Sequence, residues 1–242
     1  MFFLSILLAC GAKHADRRLP GVDDLFEASI AAAGGREVMM AHHNVITRGR
    51  VSTPSSQMTL TVYHSAPDTL YTTLEVPGVG VITSGYSDGT AWEFNPIMGP
   101  RLLEGDEAVL EARRADFYAT IHYETHYPER AVVGSGVFDG AAVWEVAAQT
   151  VLGDEEALFF DMDTGLLRGA RTVRRTASGA MISTTTFEEY REIDGILLPV
   201  VLSQDSGGVV LTITLDEVHY DVETMPSLEP PPVVRALIGA SP

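Results

Sequence analysis

From Val22 the apolar positions fall at helical spacing: Val22, Leu25, Phe26, Ile30 and Ala33 recur at intervals of three and four and share one face. Asp23 and Asp24 occupy the first turn, where carboxylates suit the helix dipole. Gly34-Gly35 then stops the run as a glycine C-cap would. Beyond Gly35 the period changes to two. Strands are expected over 38–50, 57–66, 69–76, 79–86 and 90–95, then over 131–138, 141–149, 155–161, 166–175, 180–190, 196–203 and 208–220. The alternation is plain at Met58, Leu60 and Val62 and again at Leu211, Ile213 and Leu215. Asp88-Gly89, Asp139-Gly140 and Asp194-Gly195 separate neighbouring strands, and Asp-Gly pairs suit two-residue hairpin turns.

One stretch interrupts the strands. Between Asn95-Pro96 and Pro128 the period is helical again, through Ala108, Leu110, Ala112, Ala115, Phe117, Tyr118 and Ile121. Glu104, Asp106 and Glu107 load its start with acid, and Arg113 and Arg114 follow, as the helix dipole prefers. A last short helix is expected over 232–238, after an extended proline-rich stretch from Pro226. The layout predicts a mainly β (α+β) fold: a curved antiparallel sheet, an unclosed half β-barrel covered by helices. A sheet of about ten or more strands must curl or close. No polar linker divides the strands, so 22–242 reads as a single half-barrel domain with a helical lid around 104–121.

Composition changes this picture at two points. With 45% apolar residues the chain can build a sizeable core without disulfides. A formal net charge of −17 argues against nucleic acid as a partner, because phosphate binding runs on Lys and Arg. The single cysteine, Cys10, follows nine residues of which only Ser5 is polar. The string Leu7-Leu8-Ala9-Cys10-Gly11 resembles a bacterial lipoprotein processing box. On that reading 1–9 is a signal peptide, and 10–21 is the lipidated cysteine and its tether. No Lys or Arg precedes Cys10, whereas secretory signals carry a positive start. The alternative is a buried N-terminal strand whose cysteine is a small hydrophobe. Nothing else reaches the roughly 18 apolar residues of a membrane helix, so membrane attachment is expected at this end.

Catalytic constellations are weak. His122 and His126 stand four apart, a spacing that places two imidazoles on one helix face, and such pairs can bind zinc. Glu124 falls off that face, and a polar helix end accounts for the cluster equally well. His42-His43 lies in an expected strand, with rings on opposite sides. Asp154-Glu155-Glu156 reads as a hairpin tip. Asp161-Met162-Asp163 begins a calcium-like pattern that Gly165-Leu166-Leu167 ends. Gly134-Ser135-Gly136 lacks the context of a serine nucleophile, and no phosphate or dinucleotide loop occurs. No catalytic residue, metal or cofactor is expected.

A longer resemblance follows from two passages. The run from Gly85 through Asp88-Gly89, Trp92 and Phe94 to Pro96 resembles periplasmic lipoprotein-carrier proteins of the LolA/LolB-like group. Ala66-Pro67 after an alternating strand fits that group too, and Tyr190 to Pro199 looks like sequences of lipoprotein-sorting relatives. The resemblance implies an unclosed β-barrel with a helical lid and a cavity for acyl chains. Its partners would be lipid or acylated protein cargo, and the site an envelope membrane facing the periplasm, most simply the outer membrane. A lipidated Cys10 would make the chain look more like the anchored receptor than the diffusing carrier. The receptor type carries a protruding apolar loop, for which Ile97 to Leu103 is the best candidate here; the same residues also read as a turn into the next helix. Trp92, Phe94, Met98, Leu102, Leu103, Leu110, Phe117 and Trp144 are then the candidate cavity residues. Tyr118, Phe159 and Phe160 are further aromatic candidates, and core packing is the alternative role for every one of these rings.

Overall fold

The computed structural model describes residues 18–176 and 179–239. Cys10, the expected signal peptide and most of the tether lie outside them. The chain opens with helices α1 (Val22–Ala32) and α2 (Arg36–Ala41), followed by strands β1 (Asn44–Thr53), β2 (Ser56–Ser65), β3 (Thr69–Val76), β4 (Gly80–Ser87), β5 (Thr90–Asn95) and β6 (Gly99–Leu102). Helices α3 (Gly105–Ala115) and α4 (Tyr123–His126) come next. Strands β7 (Glu129–Phe138), β8 (Ala141–Gln149), β9 (Glu155–Asp161), β10 (Leu167–Thr176), β11 (Gly179–Ile193), β12 (Ile196–Ser206) and β13 (Val209–Tyr220) complete the sheet, and α5 (Pro232–Ile238) ends the described chain.

All strands join one 13-stranded antiparallel sheet in the order β6-β5-β4-β3-β2-β1-β13-β12-β11-β10-β9-β8-β7. Two meanders are thus sewn together at β1 and β13, where Val45 faces Tyr220 and Val51 faces Ile213. Strands β6 and β7 are the two edges, and they do not pair with each other. Strand twist accumulates by roughly 20–25° per neighbour, which curls so broad a sheet. This is the unclosed half-barrel that the hydrophobic pattern predicts. The topology also explains the lid. Strand β6 ends at one edge and β7 begins at the other, so residues 103–128 must cross the whole open face.

The hairpins form as their sequences require. Asp88-Gly89, Asp139-Gly140 and Asp194-Gly195 all hold positive φ at both residues. Three expectations change. The strand expected from 38 begins at Asn44 instead, because Arg36 to Ala41 is a run of helix formers that coils into α2. Residues 99–102 are a short edge strand facing β5, with Arg101 opposite Glu93, so Ile97 and Met98 form a hairpin tip. The single helix expected over 104–121 breaks at Asp116, whose backbone is extended and whose Oδ1 accepts the Tyr118 N–H at 3.0 Å.

The main core lies on the inner face of the sheet, the face that carries α1 to α4. Leu25, Phe26 and Ile30 of α1 and Met39 of α2 pack with Val146, Leu158 and Phe160. Phe26 stacks on Tyr123 with centroids 4.3 Å apart, and meets Phe160 edge-on at 5.1 Å. The α1–α2 turn approaches the β11–β12 hairpin so closely that a Cβ on Gly34 would stand 2.3 Å from the Gly195 carbonyl oxygen. Leu197 N–H donates to the Ala33 carbonyl across the same contact. A smaller outer-face core holds Phe138, Val143 and Phe159, with Phe138 and Phe159 stacked at 4.2 Å.

Candidate functional site

Between the lid segment and the sheet lies a cavity of 860 Å³. Its floor is built by cross-strand neighbours, which share a face in an antiparallel ladder. The floor changes chemistry along the strand direction. At one level Phe160 faces Leu167 and Phe187 faces Leu202. At the next, Leu158 faces Ala170, Ala170 faces Thr185, and Thr185 faces Gln204. At the third, Glu156 faces Thr172, Thr172 faces Ser183, and Ser183 faces Ser206. Leu167 to Thr172 covers these levels, a span of about 17 Å at the usual strand rise.

The apolar end is closed. Phe26 and Ile30 from α1, Met39 from α2 and Ile121 from the lid segment line it, with Ile196 to Leu198 from β12. The other end is open: Met181, which lines the cavity there, is 51% exposed, and Ser206 is exposed as well.

Of three polar devices here, two tie the lid segment to the sheet and one braces the segment internally. His64, on β2, donates from Nε2 to the Ala115 carbonyl at 2.8 Å, tying the end of α3 to the sheet. Burial pushes the His64 imidazole below its ordinary pKa, although the Ala115 carbonyl and the Asp116 carboxylate pull the other way. The second device is centred on Asp116, which accepts from His122 Nδ1 at 2.9 Å and from His126 Nε2 at 2.8 Å. Burial by itself would raise the Asp116 carboxyl, but the two histidine hydrogen bonds and the Tyr118 N–H hold it below the usual carboxylate range. The third is a strut. Arg113 of α3 lies 4.9 Å over the Tyr127 ring and 3.5 Å from Glu156, and Tyr127 Oη donates to Glu156 at 2.8 Å. Burial first, and the Glu156 carboxylate second, drive the Tyr127 phenol well above its ordinary pKa. Tyr190 and Tyr220, at the apolar end, are each pushed up to about 12 chiefly by burial.

Of the residues singled out from sequence, Leu110 and Phe117 line the cavity. Trp92 does not: it is fully buried on the outer face, over Gly85 and edge-on to Tyr71 at 5.3 Å. A Cβ on Gly85 would stand 2.7 Å from the indole, so only glycine admits the ring there. Phe94 faces Thr83 and Pro100, and Leu102 faces Trp92, so both share that outer face. Met98 is 75% exposed at the β5–β6 tip, and Leu103 N–H donates to the Ala91 carbonyl beside it. Trp144 faces Phe160 on the inner side and packs against the main core rather than the cavity. Tyr118 and Phe160 are lining residues, while Phe159 belongs to the outer-face core.

The histidine pair acquires a third neighbour that its own segment does not reveal, Asp116. Even so, among the described residues no group of three or more His, Cys, Asp and Glu is arranged to hold a metal ion. His42 and His43 lie between α2 and β1. His42 Nδ1 bonds Asp221 at 2.7 Å, and the Tyr118 hydroxyl donates to the His42 carbonyl at 3.0 Å. The turn at Asp161 closes on itself, with Oδ1 accepting from the backbone of Asp163 and Thr164. The lining residues that sequence reading passes over are the polar ones of β10 to β12. Ser183 to Thr186 are polar on both faces, so alternation carries no trace of which side is inner.

No family model matches the sequence, and no curated protein matches it either. Solved structures do match in fold. A LolA superfamily protein from Nitrosomonas europaea is 13% identical, with a TM-score of 0.57 over 83% of this chain and 93% of that one. A DUF1329 family protein from Desulfovibrio piger is 12% identical, with a TM-score of 0.57 over 84% of this chain and 95% of that one. An outer membrane lipoprotein-sorting protein domain from Vibrio parahaemolyticus is 11% identical, with a TM-score of 0.52 over 83% of this chain and 95% of that one. The fold is LolA-like. The resemblance of the 85–96 and 190–199 passages thus has a structural counterpart that spans most of the chain.

Proposed function

We propose that this chain is a lipid-anchored protein of the bacterial envelope that binds a hydrophobic ligand, lipid or lipoprotein acyl chains, in the cavity under its lid. The observation that carries this reading is the 860 Å³ space left between the sheet and the lid segment, closed and apolar at one end. A filled inner face would have buried more apolar surface within the chain itself. An open one lets a ligand supply that burial, at about 25 cal/mol per Å² of apolar surface removed from water. The crossing segment is tied to the sheet by polar contacts at His64 and Glu156 and by the buried side chains of Ala115, Ile121 and Tyr123. Binding rather than catalysis is the role we assign to the site.

Acylation of Cys10 supplies the anchor, and two or more chains on one cysteine hold stably where a single chain holds marginally. No described helix is long and apolar enough to cross a membrane. The test is purification under native conditions followed by mass spectrometry and titration with a pyrene-labelled fatty acid. Co-purifying lipid, or saturable fluorescence binding, supports the reading. Protein that carries no lipid and gives no binding signal defeats it. The same spectra report an acyl mass on Cys10, and Cys10→Ser is expected to shift the protein from the membrane to the soluble fraction.

A further inference from the structure

The cavity floor has two ends, and only one of them is made for hydrocarbon. Thr172, Ser183 and Ser206 form one cross-strand row at the open end, and Thr185 and Gln204 form the next. None of these five side chains has a hydrogen-bond partner among the described residues. They offer four hydroxyls and one amide, all uncharged, on a rigid ladder whose neighbouring strands lie about 4.8 Å apart. That spacing and that mixture of donors and acceptors suit a group carrying several hydroxyls of its own.

The charges beside them are already matched. Arg174 pairs with Asp154 at 3.0 Å, Arg113 with Glu156 at 3.5 Å, and Arg114 with Glu111 at 2.9 Å. An anionic head group entering here would meet the Asp154 and Glu156 carboxylates, each only 12% exposed, and no unpaired guanidinium. Separating either pair would leave a half-buried charge without its partner. A phosphate or carboxylate is therefore disfavoured where a neutral polyol is not.

We infer that the ligand is an amphiphile with an uncharged, hydroxyl-bearing head group, a sugar or glycerol, bound tail-first. Its chains lie at the apolar end against Phe26, Ile30 and Phe160, and its head group is held by the two polar rows of β10 to β12. This rests on the proposed ligand-binding reading and adds to it the head-group class and the direction of entry. The direction follows from the ends: α1, α2 and Ile121 block the apolar one, and the polar one faces solvent.

The test uses the purified protein and three probes with the same pyrene-labelled acyl chains: a galactosyl diacylglycerol, a phosphatidic acid and a fatty acid methyl ester. The galactosyl lipid is expected to bind at least tenfold more tightly than the phosphatidic acid. The double variant S183A/T185V is expected to weaken the galactosyl lipid about tenfold relative to the methyl ester, the effect of lost hydrogen bonds. Equal affinity for the two lipids, preference for the phosphate, or equal weakening of all three probes by the double variant overturns the inference. If the methyl ester binds while the galactosyl lipid has no advantage, the inference alone falls. If none of the three binds, the ligand-binding reading falls with it.

Discussion

The two halves of the sheet treat their inner faces in opposite ways. In the β3–β5 half, α3 packs directly onto the strands. Leu70, Thr72 and Ala91 are buried there, and Arg101 bridges the sheet to the helix through Glu93 and Glu107. That half also thickens outward, because Trp92 and Tyr71 pack on its outer face while α5 lies against β5 and β6 and buries Val234. In the β9–β12 half, the corresponding inner face is roofed at one end by α1, α2 and α4 and beyond them only by side chains of α3 and the loop after it, and the cavity remains. Strand geometry is the same in both. A sheet face becomes core or binding site according to how closely the crossing segment lies on it: α3 packs onto β3 to β5, and over the other half only its Leu110, Arg113 and Arg114 reach the cavity.

Breaking this contrast should cost most where a ring has no alternative environment. Trp92→Ala is expected to destabilise the protein by about 3–5 kcal/mol in denaturant unfolding, the usual range for a buried aromatic, with ligand affinity unchanged in whatever folds. The sharper test is the same substitution in both halves. Ala91→Phe, at a site only 2% exposed, should cost about 1–3 kcal/mol or more by overpacking. Ala170→Phe projects into the cavity and should cost less than about 1.5 kcal/mol, while lowering affinity for a pyrene-labelled fatty acid at least tenfold. Equal stability losses at the two alanines would remove the distinction between a covered and an open half.

The smallest effect lies at the seam between the halves, in His64. Its folded pKa is depressed, so the unfolded chain binds the proton more readily. Stability is therefore complete above the ordinary histidine value of about 6.5 and is lost as pH falls through it toward the folded value. Asp116, also depressed, acts in a lower window, and its contribution leaves only as pH falls below the ordinary carboxylate range of about 3.9. His64→Gln removes the titrating ring, so unfolding midpoints measured from pH 7 to 3 should lose the histidine slope between pH 7 and 5 and keep the acid one below about pH 3.9. A slope unchanged in the variant would assign it to other groups.

Much of the architecture was legible because it is written locally. The Asp-Gly turns, the alternating strands and the helix from Val22 each depend on residues within a few positions of one another. The site was less so. Leu110 and Phe117 could be picked from the apolar face of the crossing helix, whereas Trp92 was misleading for a physical reason. An alternating strand presents two apolar-compatible faces, and Trp92 occupies the outer one, in a slot that Gly85 opens on the neighbouring strand. The polar floor was invisible because Ser183 to Thr186 carry no alternation, and Asp116 entered the histidine cluster only when the helix broke there.

The sequence by itself therefore determined most of the strands, their Asp-Gly turns and the first helix, since these follow from short-range backbone and side-chain preferences, while α2, β6 and the break at Asp116 did not show in the local period. Only the tertiary structure decided which face of each strand looks inward. It also decided where a cavity is left. Both depend on joining β1 to β13 and on the passage of the chain from the β6 edge to the β7 edge, contacts between residues far apart in sequence that no local period encodes.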